Sequence, residues 1–131
     1  MSTDGSHLRL QYGDDTSWTT AYNIYADRLL GLNLFPRSLH ATQDAWYRSQ
    51  ALSYGVPLDS REQYTKTDWA CWAAAMATTR ETRDVLVDGV MRYIGNTDDP
   101  RGFPLGDLYF ANNGTEFFLM ARCVFALDQL V

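Results

Sequence analysis

The sequence predicts a mainly α-helical domain with a short C-terminal β-hairpin. Two observations carry this. Apolar side chains recur at helical spacing in successive segments, each bounded by Gly, Pro or a capping residue. After Gly95 that spacing gives way to aromatic and aliphatic runs on either side of Asn112-Asn113-Gly114, the signal of a tight hairpin turn. With 131 residues and 46% hydrophobic content, the chain can build one core without disulfide or metal staples.

Residues 1–11 read as a flexible polar arm, and residues 12–131 as a single domain. Asp14, Asp15, Thr16 and Ser17 form a capping cluster ahead of a first helix, in which Trp18, Ala21, Tyr22, Tyr25, Leu29 and Leu30 share one face. Gly31 and Asn33 suit its exit, and Pro36 limits continuation. A second helix is expected from Ser38 to near Tyr54, with Leu39, Thr42 or Gln43, Trp46, Tyr47 and Gln50 close to one face, before Gly55 and Pro57 stop it. A third runs from Thr67 to Thr78, with Trp69, Trp72, Ala73 and Met76 on one side and enough alanine for a neighbour to approach closely. A fourth runs from Arg80 to Ile94 and turns Val85, Leu86, Val90 and Tyr93 inward. Gly89 weakens that helix by roughly 1 kcal/mol relative to Ala. Asn96–Gly106 reads as loop, Leu105–Phe110 and Thr115–Val124 as the hairpin strands, and Phe125–Val131 as a short terminal helix.

A formal charge of −5 and a pI near 4.8 argue against nucleic acid, because phosphate binding needs a basic field. The two cysteines, Cys71 and Cys123, lie in apolar runs and read as buried thiols, with a disulfide between them left open. The two histidines and two cysteines lack the spacing of a zinc site, and no glycine-rich phosphate loop is present, so no metal or cofactor is expected. Asn113-Gly114-Thr115 fits a glycosylation sequon but reads as a turn. The first residues lack a basic and apolar leader, and no apolar stretch approaches the ~20 residues of a membrane span. A cytoplasmic location away from membranes is therefore expected, with leaderless export as the other route.

The candidate chemistry is concentrated in Gly55–Trp69, where Asp59, Arg61, Glu62, Lys66 and Asp68 stand beside Tyr64 and Trp69. Acids in unequal environments can divide into a general acid and a general base, as amide or glycoside hydrolysis requires. Lys66 and Arg61 can steady an oxyanion or a substrate carboxylate. A structural reading uses the same residues: Asp59 pairs with Arg61, and Thr67 or Asp68 caps the third helix. His40 and Asp44, four apart on a helix, read as a surface contact. The aromatic stripes mostly read as core, while any exposed Trp or Tyr suits sugar stacking or an interface.

Several stretches carry a family resemblance: YGDDTSWTTAYNIYADRLLGLNLFP, QDAWY, GVPLDSREQYTKTDW with WAAAMA, and TRDVLVDGVMRYI. Through them residues 10–127 resemble the C-terminal part of the fungal glutaminase A family. The resemblance implies the last hairpins of a six-hairpin α/α toroid, so that four helices here make a partial α/α-toroid. It also implies hydrolysis of L-glutamine to glutamate and ammonia, for which Asp59, Tyr64, Lys66 and Asp68 are the catalytic set to consider. Two departures stand out. Glu62 occupies a place where the family tends to have His, and Arg122-Cys123-Val124 runs directly into the last apolar segment without a glycine-rich insertion. These departures and the short length favour a binding or interaction protein without catalysis, recognising a glycan or a protein surface through Arg61, Glu62, Trp69, Trp46 and Tyr47. Helix faces that neighbours cover in a full ring would be exposed, which leads to an expectation of homo-oligomers. Glutaminase-type hydrolysis, alone or as a subunit, is the alternative.

Overall fold

A computed structural model describes residues 1–96 and 107–116. A 3-10 turn at Tyr22–Ile24 leads into α1 (Tyr25–Leu29), followed by α2 (Arg37–Gln50), β1 (Tyr64–Lys66), α3 (Thr67–Met76), α4 (Arg80–Ile94) and β2 (Leu108–Phe110). The protein is mainly helical, with four α-helices and one small antiparallel sheet among the described residues.

The α3–α4 hairpin is the centre of the fold. Ala70, Ala73 and Ala74 are buried, which lets α4 lie close, and Leu86, Val90 and Tyr93 fill the facing side. α4 has the expected bounds because its signals agree: the Thr79 hydroxyl accepts the Thr82 N–H as N-cap, and apolar spacing continues to Tyr93. Gly89 has a specific reason. A Cβ there would stand 2.4 Å from the Gly55 Cα, so two glycine backbones touch where α4 crosses the loop. Trp18, Tyr47, Val56, Ala73, Ala74 and Leu86 form the main core, with Trp46 and Val85 packed against it.

α2 is tied to this hairpin by a buried carboxylate. Asp44 Oδ2 accepts the Thr78 N–H (2.8 Å), the Thr79 N–H (3.0 Å) and the Thr78 hydroxyl (2.8 Å). One side chain thus fixes the turn between α3 and α4. The i, i+4 surface contact expected with His40 is not what Asp44 makes.

The first helix is much shorter than its apolar spacing suggests. Trp18–Thr20 instead pair with the later loop: the Thr20 N–H reaches Leu58 O (2.7 Å), and the Ser60 N–H reaches Trp18 O (3.0 Å). Asp14 does not cap a helix; its Oδ1 accepts from the Thr16 N–H and hydroxyl and closes a local turn. Leu29 and Leu30, expected on the apolar face of that helix, are 66% and 67% exposed. The second helix ends at Gln50, where Ala51 turns extended and Leu52 and Gly55 close a reverse turn.

The segment expected as a flexible arm contributes buried side chains. His7 is buried, stacked on Trp46 with ring centroids 4.0 Å apart, and its Nε2 lies 3.2 Å from Ser17 O. Cys71 is exposed, which corrects its reading as a buried thiol. Its apolar sequence neighbours lie on other faces of α3. Cys123, most of the 96–106 loop and the expected terminal helix at 125–131 lie outside the described residues.

β2 pairs with β1, in the register Tyr64 to Phe110, Thr65 to Tyr109 and Lys66 to Leu108. The Asn112–Gly114 turn also forms: the Gly114 N–H reaches Phe110 O, the Phe110 N–H reaches Thr115 O, and Tyr109 bridges Glu116. The remainder of the second run, 117–124, lies outside the described residues. Tyr109 is fully buried, stacked on Tyr93 at 3.7 Å, with its hydroxyl on Tyr54 O. Burial pushes its phenol pKa up.

Candidate functional site

The loop from Gly55 to the start of α3 is held on both sides. Leu58 accepts from Thr20 and donates its N–H to Tyr64 O, Trp18 donates to the Ser60 hydroxyl, and Asp59 bridges both Thr19 and Glu62. The loop tip is therefore a fixed turn with Asp59 tucked beneath it, and a cleft lies on either flank.

Asp59 and Arg61 form the wall between the clefts. Arg61 Nε and Nη2 donate to the two carboxylate oxygens of Asp59 at 3.0 and 2.7 Å, and the Arg61 backbone N–H adds a third bond at 2.9 Å. Asp59 is 7% exposed, so burial pushes its pKa upward, but the Arg61 hydrogen bonds and charge outweigh this and hold it below the usual carboxylate range. The pairing raises the guanidinium pKa in turn. This is the bidentate geometry for which arginine is suited.

On the first flank, a cavity of about 290 Å³ brings together Asp59, Arg61, Tyr64, Lys66 and Trp69, with Tyr22 opposite. Lys66 Nζ lies 3.1 Å from Asp107 and 3.5 Å from Asp68, and 4.9 Å from the centre of the Trp69 ring. Partial burial acts to lower the Lys66 pKa, yet these carboxylates raise it, so the amine stays protonated at neutral pH. Trp69 is also stacked on Tyr22, at 3.7 Å and 15°. The indole thus has two partners, Tyr22 and Lys66. Asp68 sits in the first turn of α3, where its Oδ1 accepts the Trp69 N–H at 2.8 Å.

On the second flank, a shallow cleft of about 490 Å³ lies between the C-terminal end of α2 and the loop tip. Gln50, Leu52, Pro57, Arg61, Glu62 and Gln63 line it. Gln50 and Gln63 carry no signal in the sequence beyond their polarity, and neither was expected in a site.

The other two expected binding residues lie elsewhere. Tyr47 is a core group, 3% exposed, whose hydroxyl accepts the Ala21 N–H (2.7 Å) and the Gln43 amide (3.3 Å). Burial is the main influence on its phenol and raises its pKa. Trp46 is packed beneath His7, with its indole N–H buried and without a hydrogen-bond partner among the described residues. Neither side chain reaches the clefts. Among the described residues no group of three or more His, Cys, Asp or Glu converges on a possible metal position, and no helix is long and apolar enough to cross a membrane.

A third surface feature lies away from the loop. Leu29, Leu30, Leu32 and Leu34 are 53–71% exposed, and Trp72 stands near Tyr25 and Leu29 around an apolar groove. Asp27 fixes this segment, its carboxylate accepting the N–H groups of Leu34 (2.8 Å) and Phe35 (3.3 Å). Gly31 and Asn33 adopt positive φ, as the sharp exit from α1 requires. The leucines are therefore displayed on a pinned loop.

Comparison with known proteins gives one consistent result. The model of the glutaminase A six helical-hairpin domain matches residues 1–126. A glutaminase A from Aspergillus oryzae is 41% identical over 108 residues, covering 82% of this chain and 15% of that protein. A probable glutaminase from Arthroderma benhamiae is 31% identical over 136 residues, covering 83% of this chain and 15% of that protein. The chain thus spans about 15% of the length of the curated relatives it matches. No solved structure matches it.

Proposed function

The chain belongs to the glutaminase A six helical-hairpin domain family, and from that premise we propose that it acts as an interaction element of such a domain rather than as a self-sufficient hydrolase. For this role the exposed leucines support a protein surface as the ligand of the apolar face. The observation that carries the reading is the exposed face Leu29–Leu34 with Trp72. Each leucine fully removed from water is worth about 1.5–3 kcal/mol, so covering several of them offsets a sizeable part of the cost of association. The Asp27 carboxylate already holds the loop, which lowers the ordering cost of binding.

The occupant we assign to this face is a second copy of the chain. Sedimentation velocity across micromolar concentrations tests it. Reversible association is expected for the wild type, and its loss in the double variant Leu30→Glu/Leu34→Glu. A monomer at every concentration overturns the proposal.

A second reading, glutaminase-type hydrolysis, is favoured by the convergence of Asp59, Tyr64 and Lys66 on one cavity. The state of those groups weighs against it. Asp59 has its proton affinity lowered by Arg61 and is a weak base, while Lys66 is protonated and bound by two carboxylates. Ammonia release from glutamine by the purified chain, lost in Asp59→Asn, would reverse this ordering.

A further inference from the structure

We propose that the cleft between the end of α2 and the Asp59–Gln63 turn is a binding site for a neutral, hydroxyl-rich ligand of the saccharide class. This goes beyond the apolar-face reading and does not depend on it.

The chemistry of the lining selects the ligand. Gln50, Gln63, Glu62 and Arg61 bring two carboxamides, a carboxylate and a guanidinium to one shallow cleft. These planar groups offer donors and acceptors side by side, and a hydroxyl, which both donates and accepts, can satisfy such a set. The charge disfavours anions: Asp59 and Arg61 cancel, and Glu62 leaves a formal −1 on the lining. A phosphate or carboxylate ligand would meet a carboxylate there. Leu52 and Pro57 add apolar lining suited to the C–H face of a sugar ring.

The cleft is also preorganised. The Arg61 side chain is 60% exposed, and exposed arginines ordinarily sample many rotamers. Here Asp59 takes Nε and Nη2, leaving the Nη1 edge unused by that pair. Asp59 is in turn held beneath the turn by its pairing with Thr19 and Glu62. A buried carboxylate that fixes an exposed guanidinium is the arrangement of a supported binding group, with part of the ordering cost met before the ligand arrives.

Saturation-transfer NMR tests this with glucose, galactose, mannose, maltose and cellobiose, alongside glutamate and an extended neutral hexapeptide. Saturable binding of at least one saccharide is expected, weakened about tenfold in Gln63→Ala and in Arg61→Ala, the loss of one hydrogen-bonding group to the ligand. Gln63 is exposed, so its variant keeps the fold even where Arg61→Ala loosens Asp59. The proposal is overturned if no saccharide saturates, if binding is unchanged in Gln63→Ala, or if only glutamate or the peptide binds.

Discussion

Replacing Gly89 by alanine sets two known effects against each other on α4. Helix propensity favours the change by about 1 kcal/mol, because glycine is a poor residue for a helix interior. Packing opposes it. The new Cβ would lie 2.4 Å from the Gly55 Cα, 2.7 Å from the Gly55 nitrogen and 3.0 Å from the Tyr54 carbonyl carbon, all backbone atoms. Ordinary carbon contacts begin near 3.5 Å, so α4 and the loop would have to separate by about 1 Å. The same shift strains neighbouring links across this contact, including Arg92 Nε to Ser53 O at 2.6 Å and the Tyr109 hydroxyl to Tyr54 O at 3.0 Å. Overpacking of this kind costs about 1–3 kcal/mol when side chains can yield, and backbone yields less. A net loss of about 2 kcal/mol is expected, read in urea as a midpoint lowered by about 1 M. A variant as stable as the wild type, or more stable, would refute the close approach of α4 to Gly55 and leave only propensity.

Asp44→Ala removes the acceptor for three donors in the turn between α3 and α4, and a loss of about 3–4 kcal/mol is expected, with Asp44→Asn milder because one amide oxygen remains; equal midpoints for wild type and Ala variant would contradict this. Arg61→Ala should show a pH-dependent defect. Because Arg61 depresses the Asp59 pKa in the folded state, its stabilisation is present above the ordinary carboxylate pKa and is lost as pH falls through the depressed value. The gap in urea midpoint between wild type and variant should therefore be widest near pH 7 and close as the pH falls below the ordinary carboxylate range; a gap independent of pH would exclude the pair as its origin.

The legible parts of the fold are those whose signals are local. The apolar spacing of Leu86, Val90 and Tyr93 and the alanines of α3 lie close together in sequence, and their elements appear where expected. The first helix misleads because Trp18–Thr20 have strong partners about forty residues away, in Leu58 and Ser60, and those bonds override a helical spacing. Cys71 misleads for a different reason: its neighbours are apolar, but successive residues on a helix face different directions. In the site, the Asp59–Arg61 pair is readable from adjacency, as is the position of Asp68 at the start of α3. Lys66 to Asp107 and Trp69 to Tyr22 are long-range and have no signature in sequence. Gln50 and Gln63 gain meaning only once the end of α2 is placed beside the loop tip.

Self-association through the displayed apolar loop is tested most directly by hydrogen–deuterium exchange at low and high protein concentration. Protection is expected to rise with concentration in peptides covering residues 29–35 and those around Trp72, with the remainder of the described fold unchanged. Exchange that is independent of concentration, or protection that rises elsewhere while 29–35 stays open, would contradict it.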